Sequence, residues 1–194
     1  PTDVQILSVT DETGAARPYT VETDDGFVLV TSAADDFVHG RQTYVIEYTQ
    51  HNVTRLFEDV GRDEFYWDTN GTGSDQPYGT ATSRVHVPAA LAASLTGDAS
   101  CYRGVAGSTT SCDLKRSDED GGVVFTTTEA DLGPRENVTV DIAFSSGTFV
   151  PRDDAYFGSP LGFVQLAGVG GSAIAVIWAA VLRRTAERRA GMLS

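Results

Sequence analysis

"NVTVDIAFS", residues 137–145, alternates throughout: Val138, Val140, Ile142 and Phe144 fall on one side of an extended chain, Thr139 and Asp141 on the other. Successive side chains of a strand point to opposite faces, so the run predicts a half-buried antiparallel strand. "TYVIEYT", residues 43–49, repeats the pattern with Tyr44, Ile46 and Tyr48 against Thr43, Glu47 and Thr49. Shorter runs follow the same rule at Val4–Val9, Gly26–Thr31, Asn52–Val60, Ser83–Pro88 and Gly122–Thr128. Many short strands, separated by Gly, Asp and Asn and without intervening helices, predict an all-β chain. Its expected architecture is an immunoglobulin-like antiparallel β-sandwich. "PAALAASL", Pro88 to Leu95, is the one stretch of helical composition before residue 150, and it predicts a turn or two of helix. "DLKRSDEDG", residues 113–121, reads as a charged loop.

Beside these lies "DEFYWDTNGTG", Asp63 to Gly73, three consecutive aromatics ahead of a glycine-rich turn. Phe65 and Trp67 share one face and read as core, while Glu64, Tyr66 and Asp68 share the other. Asn70, Gly71 and Gly73 tolerate positive φ, so the segment is expected to be a core strand followed by its hairpin.

The chain changes character after residue 150. "PRDDAYFGSP", residues 151–160, reads as a linker, and "LGFVQLAGVGGSAIAVIWAAVL", residues 161–182, carries no charge. As a helix the latter is about 33 Å long, enough to cross a hydrocarbon core of about 30 Å, which predicts a single transmembrane helix. Arg183, Arg184, Arg188 and Arg189 follow it; by the positive-inside rule residues 183–194 are cytoplasmic and residues 1–150 form an extracytoplasmic domain. Ala167, Gly171, Ala175 and Ala179 recur every four residues with Gly168 and Ser172 beside them, a smooth stripe suited to helix packing in the membrane.

Charge divides at the same place. Residues 1–160 carry 26 acids and 10 bases, net −16; residues 161–194 carry one acid and four bases, net +3. An acidic outer domain repels phosphate backbones, which argues against nucleic acid and leaves basic proteins, cationic polymers or calcium as partners. Cys101 and Cys112, the two cysteines, bracket "YRGVAGSTTS" and predict a disulfide outside the membrane; two thiols without further ligands fall short of a zinc set. No export signal opens the sequence, so a mature form or a fragment is expected.

"GRQTYVIEYT", "DEFYWDTNGTG", "RVHVP" and the "CYRG" loop that ends at Cys112, followed by a span, resemble the bacterial membrane-protein family called domain of unknown function 2207. The resemblance covers roughly residues 4–182. It implies an extracytoplasmic β-rich domain and a membrane span, and it carries no established catalytic residues. Ser74 stands where the family often has Trp, and the family's earliest strands are absent.

Chemistry-bearing constellations are sparse. In "DTNGTGSD" the side chains of Asp68, Asn70 and Asp75 with the Thr72 carbonyl echo a calcium loop, but Gly79 occupies the position of the closing glutamate. Solvated turn acids are the expected reading, and calcium is the one cofactor candidate. His39, His51 and His86 are scattered, no serine sits in a Gly-x-Ser-x-Gly elbow, and Glu64 with Asp68 is one carboxylate pair among many. Tyr66, Tyr78, Tyr102 and Tyr156 are candidates for stacking on a sugar. Sequons begin at Asn52, Asn70 and Asn137, two of them inside expected strands.

The expectation is therefore a non-enzymatic, membrane-anchored extracytoplasmic module of the cell envelope. Its role would be interaction or assembly, with a protein partner or with a second copy through the span. The alternatives are a carbohydrate or cell-wall ligand module and a calcium-dependent adhesion domain.

Overall fold

Val138, Val140 and Ile142 are 0% exposed, and their strand forms the middle of the larger of two facing sheets. The computed structural model describes residues 2–24, 27–33 and 37–150, all within the first of two units of the chain, Pro1–Arg152. The linker at 151–160, the span at 161–182 with its small-residue stripe, and the arginine tail lie outside the described residues. Among the described residues no helix is long and apolar enough to cross a membrane.

In chain order the strands are β1 (Thr2–Thr10), β2 (Tyr19–Asp24), β3 (Phe27–Ser32), β4 (Val45–His51), β5 (Thr54–Phe57), β6 (Arg62–Asp68) and β7 (Tyr78–Val87). The short helix α1 (Ala89–Ala92) follows. Then come β8 (Leu95–Gly104), β9 (Thr110–Ser111), β10 (Lys115–Glu119), β11 (Gly122–Leu132) and β12 (Asn137–Ser145). The all-β expectation stands, and the helical turn lies where Pro88 opens it.

Among the described residues four antiparallel sheets result: β5-β6-β12-β8-β9, β10-β11-β7, β1-β4 and the ribbon β2-β3. The core belongs to the first two. Val87, Val123 and Phe125 from the three-stranded sheet meet Val140, Ile142 and Phe144 of β12, with Phe65, Leu91 and Leu95 packed at the margin. A second cluster joins Ala81 and Leu132 to Cys101 and Val138. Each fully buried Val or Ile contributes about 1.5–3 kcal/mol, so β12 holds the two sheets together.

Several expectations change. β12 is not half-buried: being central, it also has Asn137, Thr139 and Ala143 buried on its second face. β4 is the opposite case: Ile46 and Tyr48 on one face and Val45 on the other are each about half exposed. Its alternation marks a two-stranded sheet, not a core strand. Residues 113–121 are not simply a loop. β10 pairs along β11 as an exposed, charged edge strand, and Asp120 and Gly121, at φ 50° and 78°, make the two-residue turn between them. The Asn52–Val60 run shortens to β5, because the chain turns after Phe57, where the Val60 and Gly61 amides bond back to its carbonyl.

The largest correction concerns the opening of "DTNGTG". β6 pairs with β5 and β12, whereas β7 pairs with β11, so the segment between them is a corner from one sheet to the other and not a hairpin. Phe65 packs on the core and stacks on Trp67, ring centroids 5.9 Å apart, but neither ring is fully buried and aliphatic residues dominate the interior.

Candidate functional site

The residues expected to hold calcium lie at the end of β6 and in the corner that follows it. Asn70 accepts at Oδ1 from the Val138 amide (3.0 Å) and donates from Nδ2 to the Glu136 carbonyl (2.9 Å). Asp75 accepts from Arg135 Nε at 2.8 Å, and the Arg135 amide bonds the Ser74 carbonyl. Asp68 accepts from the Thr139 hydroxyl at 2.7 Å. Each of the three is thus held by a different partner on the approach to β12 or within it. Among the described residues no three His, Cys, Asp or Glu side chains are grouped as metal ligands would be.

Cys101 and Cys112 form a disulfide, with α-carbons 5.0 Å apart and the Cys112 amide bonded to the Cys101 carbonyl at 3.0 Å. The bridge closes the loop after β8, and β9 folds back onto Tyr102 and Arg103. Inside it Ser108 Oγ donates to the Arg103 carbonyl at 2.7 Å. His39, His51 and His86 are exposed in three separate stretches. Glu64 and Asp68 lie four residues apart along β6, which places their α-carbons about 13 Å from each other.

The outer face of the five-stranded sheet, away from the core, carries most of the remaining chemistry. Strand pairing sets Asp141 between Tyr66 and Ser100, and Thr139 between Asp68 and Tyr102. Arg62 Nε donates to Glu64 Oε1 at 2.6 Å, and its terminal nitrogen reaches Asp98 at 3.2 Å. Asp141 Oδ1 is buried with no hydrogen-bond partner among the described residues. Burial pushes the Asp141 carboxyl above the ordinary aspartate range; the Glu64 charge adds to this and Arg62 opposes it.

At one end of that face lies a cleft of about 120 Å³. Tyr66 and Tyr102 line it, the loop from Gly104 to Ser108 forms one wall, and Asp68, Thr139 and Asn137 also line it. Thr139 Oγ1 stands 2.7 Å from Asp68 Oδ1 and 3.1 Å from Asn137 Oδ1. A hydroxyl has one proton, and the shorter, charge-assisted contact takes it. Asp68 therefore takes the Thr139 proton at one of its oxygens and presents a carboxylate, an acceptor-only group, on this side of the cleft. Arg103 also borders the cleft, but its guanidinium is turned to Glu129 at 2.7 Å and the Ala130 carbonyl at 3.2 Å.

Of the four tyrosines singled out in the sequence, the structure brings Tyr66 and Tyr102 to one cleft. Tyr78 donates to the Asn70 carbonyl at the corner (3.4 Å), and Tyr156 lies outside the described residues. Sequence reasoning missed Asn137 and Thr139. Their signal was the polar face of β12, which reads as solvent until the flanking strands are known.

The described residues form a β-rich domain with a two-sheet core and a disulfide-held loop. The chain belongs to the family described as predicted membrane protein (DUF2207) N-terminal domain, whose pattern matches residues 3–144. No curated protein and no solved structure matches it.

Proposed function

We propose that the chain is a membrane-anchored envelope protein. Its β domain, a sandwich of immunoglobulin-like type, is held outside by the span at 161–182 and acts by binding a protein, without chemistry of its own. Membership of a membrane-protein family supports the setting. The uncharged run followed by four arginines supports one span with the C-terminus inside. The stripe from Ala167 to Ala179 gives that span a face for association with another helix.

One observation carries the binding reading. β4 pairs with β1 alone among the described strands, and Val45, Ile46 and Tyr48 leave apolar surface open on both of its faces. Soluble domains blunt such edges with charge, proline or cover, and a strand that keeps one open suits the addition of a partner's strand.

Photo-crosslinking tests this. With a photoreactive phenylalanine at Ile46 of the full-length protein in its native membrane, a discrete protein adduct is expected. The adduct should disappear in Tyr48→Lys while a probe at exposed Leu29 stays silent. Lipid adducts alone, or the same ladder from both probe positions, would overturn the reading.

A further inference from the structure

We infer that the cleft between Tyr66 and Tyr102 receives a single cationic side chain, an arginine, of the partner protein. The inference rests on the protein-binding reading above but uses a different surface, the outer face of the β6-β12-β8 sheet.

Three features converge on a cation. The first is hydrogen-bond supply: an ionised carboxylate offers about four acceptor sites and no donor, and Asp68 takes the Thr139 hydroxyl proton at one of them, so a ligand that brings donors suits it. A guanidinium brings donors exclusively, in a planar fork that suits a carboxylate. The second is shape. Tyr66 and Tyr102 stand on β6 and β8 on either side of β12, opposite Asp141 and Thr139, about 12 Å apart at their bases by the spacing of neighbouring strands and the two-residue offset. Between them a planar cation can lie against aromatic faces, a contact that gains strength when water is displaced.

The third is charge. Among the described residues the one arginine that borders the cleft is Arg103, and it is committed elsewhere, to Glu129 and Ala130. Residues 1–160 carry net −16. A field of that sign draws in a basic segment and repels an anionic one.

The wall of the cleft is set before any ligand arrives. The Cys101–Cys112 bridge closes the loop that Ser108 braces, and the floor lies on a central strand. Pre-set geometry lowers the ordering cost of binding a small group.

The test uses the full chain in detergent micelles, labelled with fluorotyrosine, with the Tyr66 and Tyr102 resonances assigned through Tyr66→Phe and Tyr102→Phe. The probe is the capped peptide Gly-Arg-Gly, titrated to about 50 mM because one such contact is worth a dissociation constant near the millimolar range. Saturable shifts of both resonances are expected. They should weaken about fivefold in Asp68→Asn, which keeps an acceptor for Thr139, and should fade with added salt. The capped peptide Gly-Gly-Gly should leave both resonances in place.

No saturable shift, or equal affinity in Asp68→Asn, overturns the inference. So does a stronger response to maltose, which would make the cleft a saccharide site. Because the probe does not involve β4, failure here leaves the Ile46 crosslinking result standing, and loss of that crosslink leaves this titration interpretable.

Discussion

Asn70 acts toward Val138 as an additional peptide group of β6: its side-chain oxygen accepts the Val138 amide at 3.0 Å while its side-chain nitrogen serves the Glu136 carbonyl at 2.9 Å. The ladder continues through the Thr69 amide, which bonds the Val138 carbonyl at 2.8 Å, and it is Asn70 that extends it after the main chain has turned toward the other sheet. The corner can therefore leave β6 without exposing the start of the central strand.

Removing that side chain should be costly. Asn70→Ala loses both bonds and is expected to destabilise the domain by about 2 kcal/mol, read as a shift in the urea midpoint at unchanged slope. Asn70→Asp keeps the acceptor for Val138 but sets a carboxylate against the Glu136 carbonyl, so it should also lose stability at neutral pH. The same melts with and without calcium decide the loop's other reading. A calcium loop would make Asn70→Asp the more calcium-responsive protein, whereas a structural corner gives equal, small responses in both.

The disulfide brackets ten residues, the end of β8, the loop after it and β9, and Cys101 is itself buried in the second core cluster. Replacing both cysteines with alanine should lower stability by about 3 kcal/mol through the greater freedom of the unfolded chain. Chemical denaturation of the double variant, compared with the parent under oxidising conditions, checks this. An unchanged midpoint would mean that the strand pairs hold the loop without the bridge.

Gly122 opens β11 at the point where the chain passes Val87. A β-carbon there would come 2.5 Å from the Val87 carbonyl oxygen, a backbone atom that cannot move aside without breaking the β7-β11 pairing. Gly122→Ala should therefore cost about 2 kcal/mol by overpacking. Gly121→Asn, in the open turn next to it, should be nearly neutral, since asparagine accepts the positive φ found there. Thermal melts of the two variants side by side separate a packing effect from general intolerance of the turn.

What could be read in the sequence was what depends on local alternation: the all-β class, the positions of β1, β3, β6, β11 and β12, the helical turn after Pro88 and the disulfide. What could not depends on which strand neighbours which. β8 was missed because Gly97 and Asp98 interrupt its alternation at an irregularity between the Ile142–Ala99 and Phe144–Leu95 pairs, where Gly97 takes φ 94°. β10 was missed because every one of its residues is exposed, and its charges carry the signature of a loop. "DTNGTG" has the composition of a hairpin, and composition does not reveal that β7 pairs with β11 instead of β6. The cleft was half legible: Tyr66 and Tyr102 stood out as aromatics, while their meeting across β12 follows from that strand lying between theirs, a long-range fact.

Asp141 offers the pH test. Its carboxyl is partly buried on the outer face of β12, one oxygen lacks a hydrogen-bond partner among the described residues, and Glu64 lies close enough to repel it. These act together to hold its proton to higher pH in the folded domain than in the unfolded chain, with Arg62 in partial opposition. Between the ordinary aspartate range and the raised folded value, the folded state binds more protons than the unfolded one, so this group's contribution makes stability fall as pH rises through that window. At neutral pH the charge at Asp141 is a standing cost. Asp141→Asn removes it and should raise the melting temperature by a few degrees at pH 7, with the advantage shrinking as the pH is lowered and the parent carboxyl takes up its proton. Glu64→Gln should not behave in the same way, because it relieves Asp141 but breaks the 2.6 Å pair with Arg62. Melting curves of the three proteins from pH 4 to pH 8 check the assignment, and an advantage for Asp141→Asn that persists undiminished at the acid end would show that packing, not charge, sets the cost.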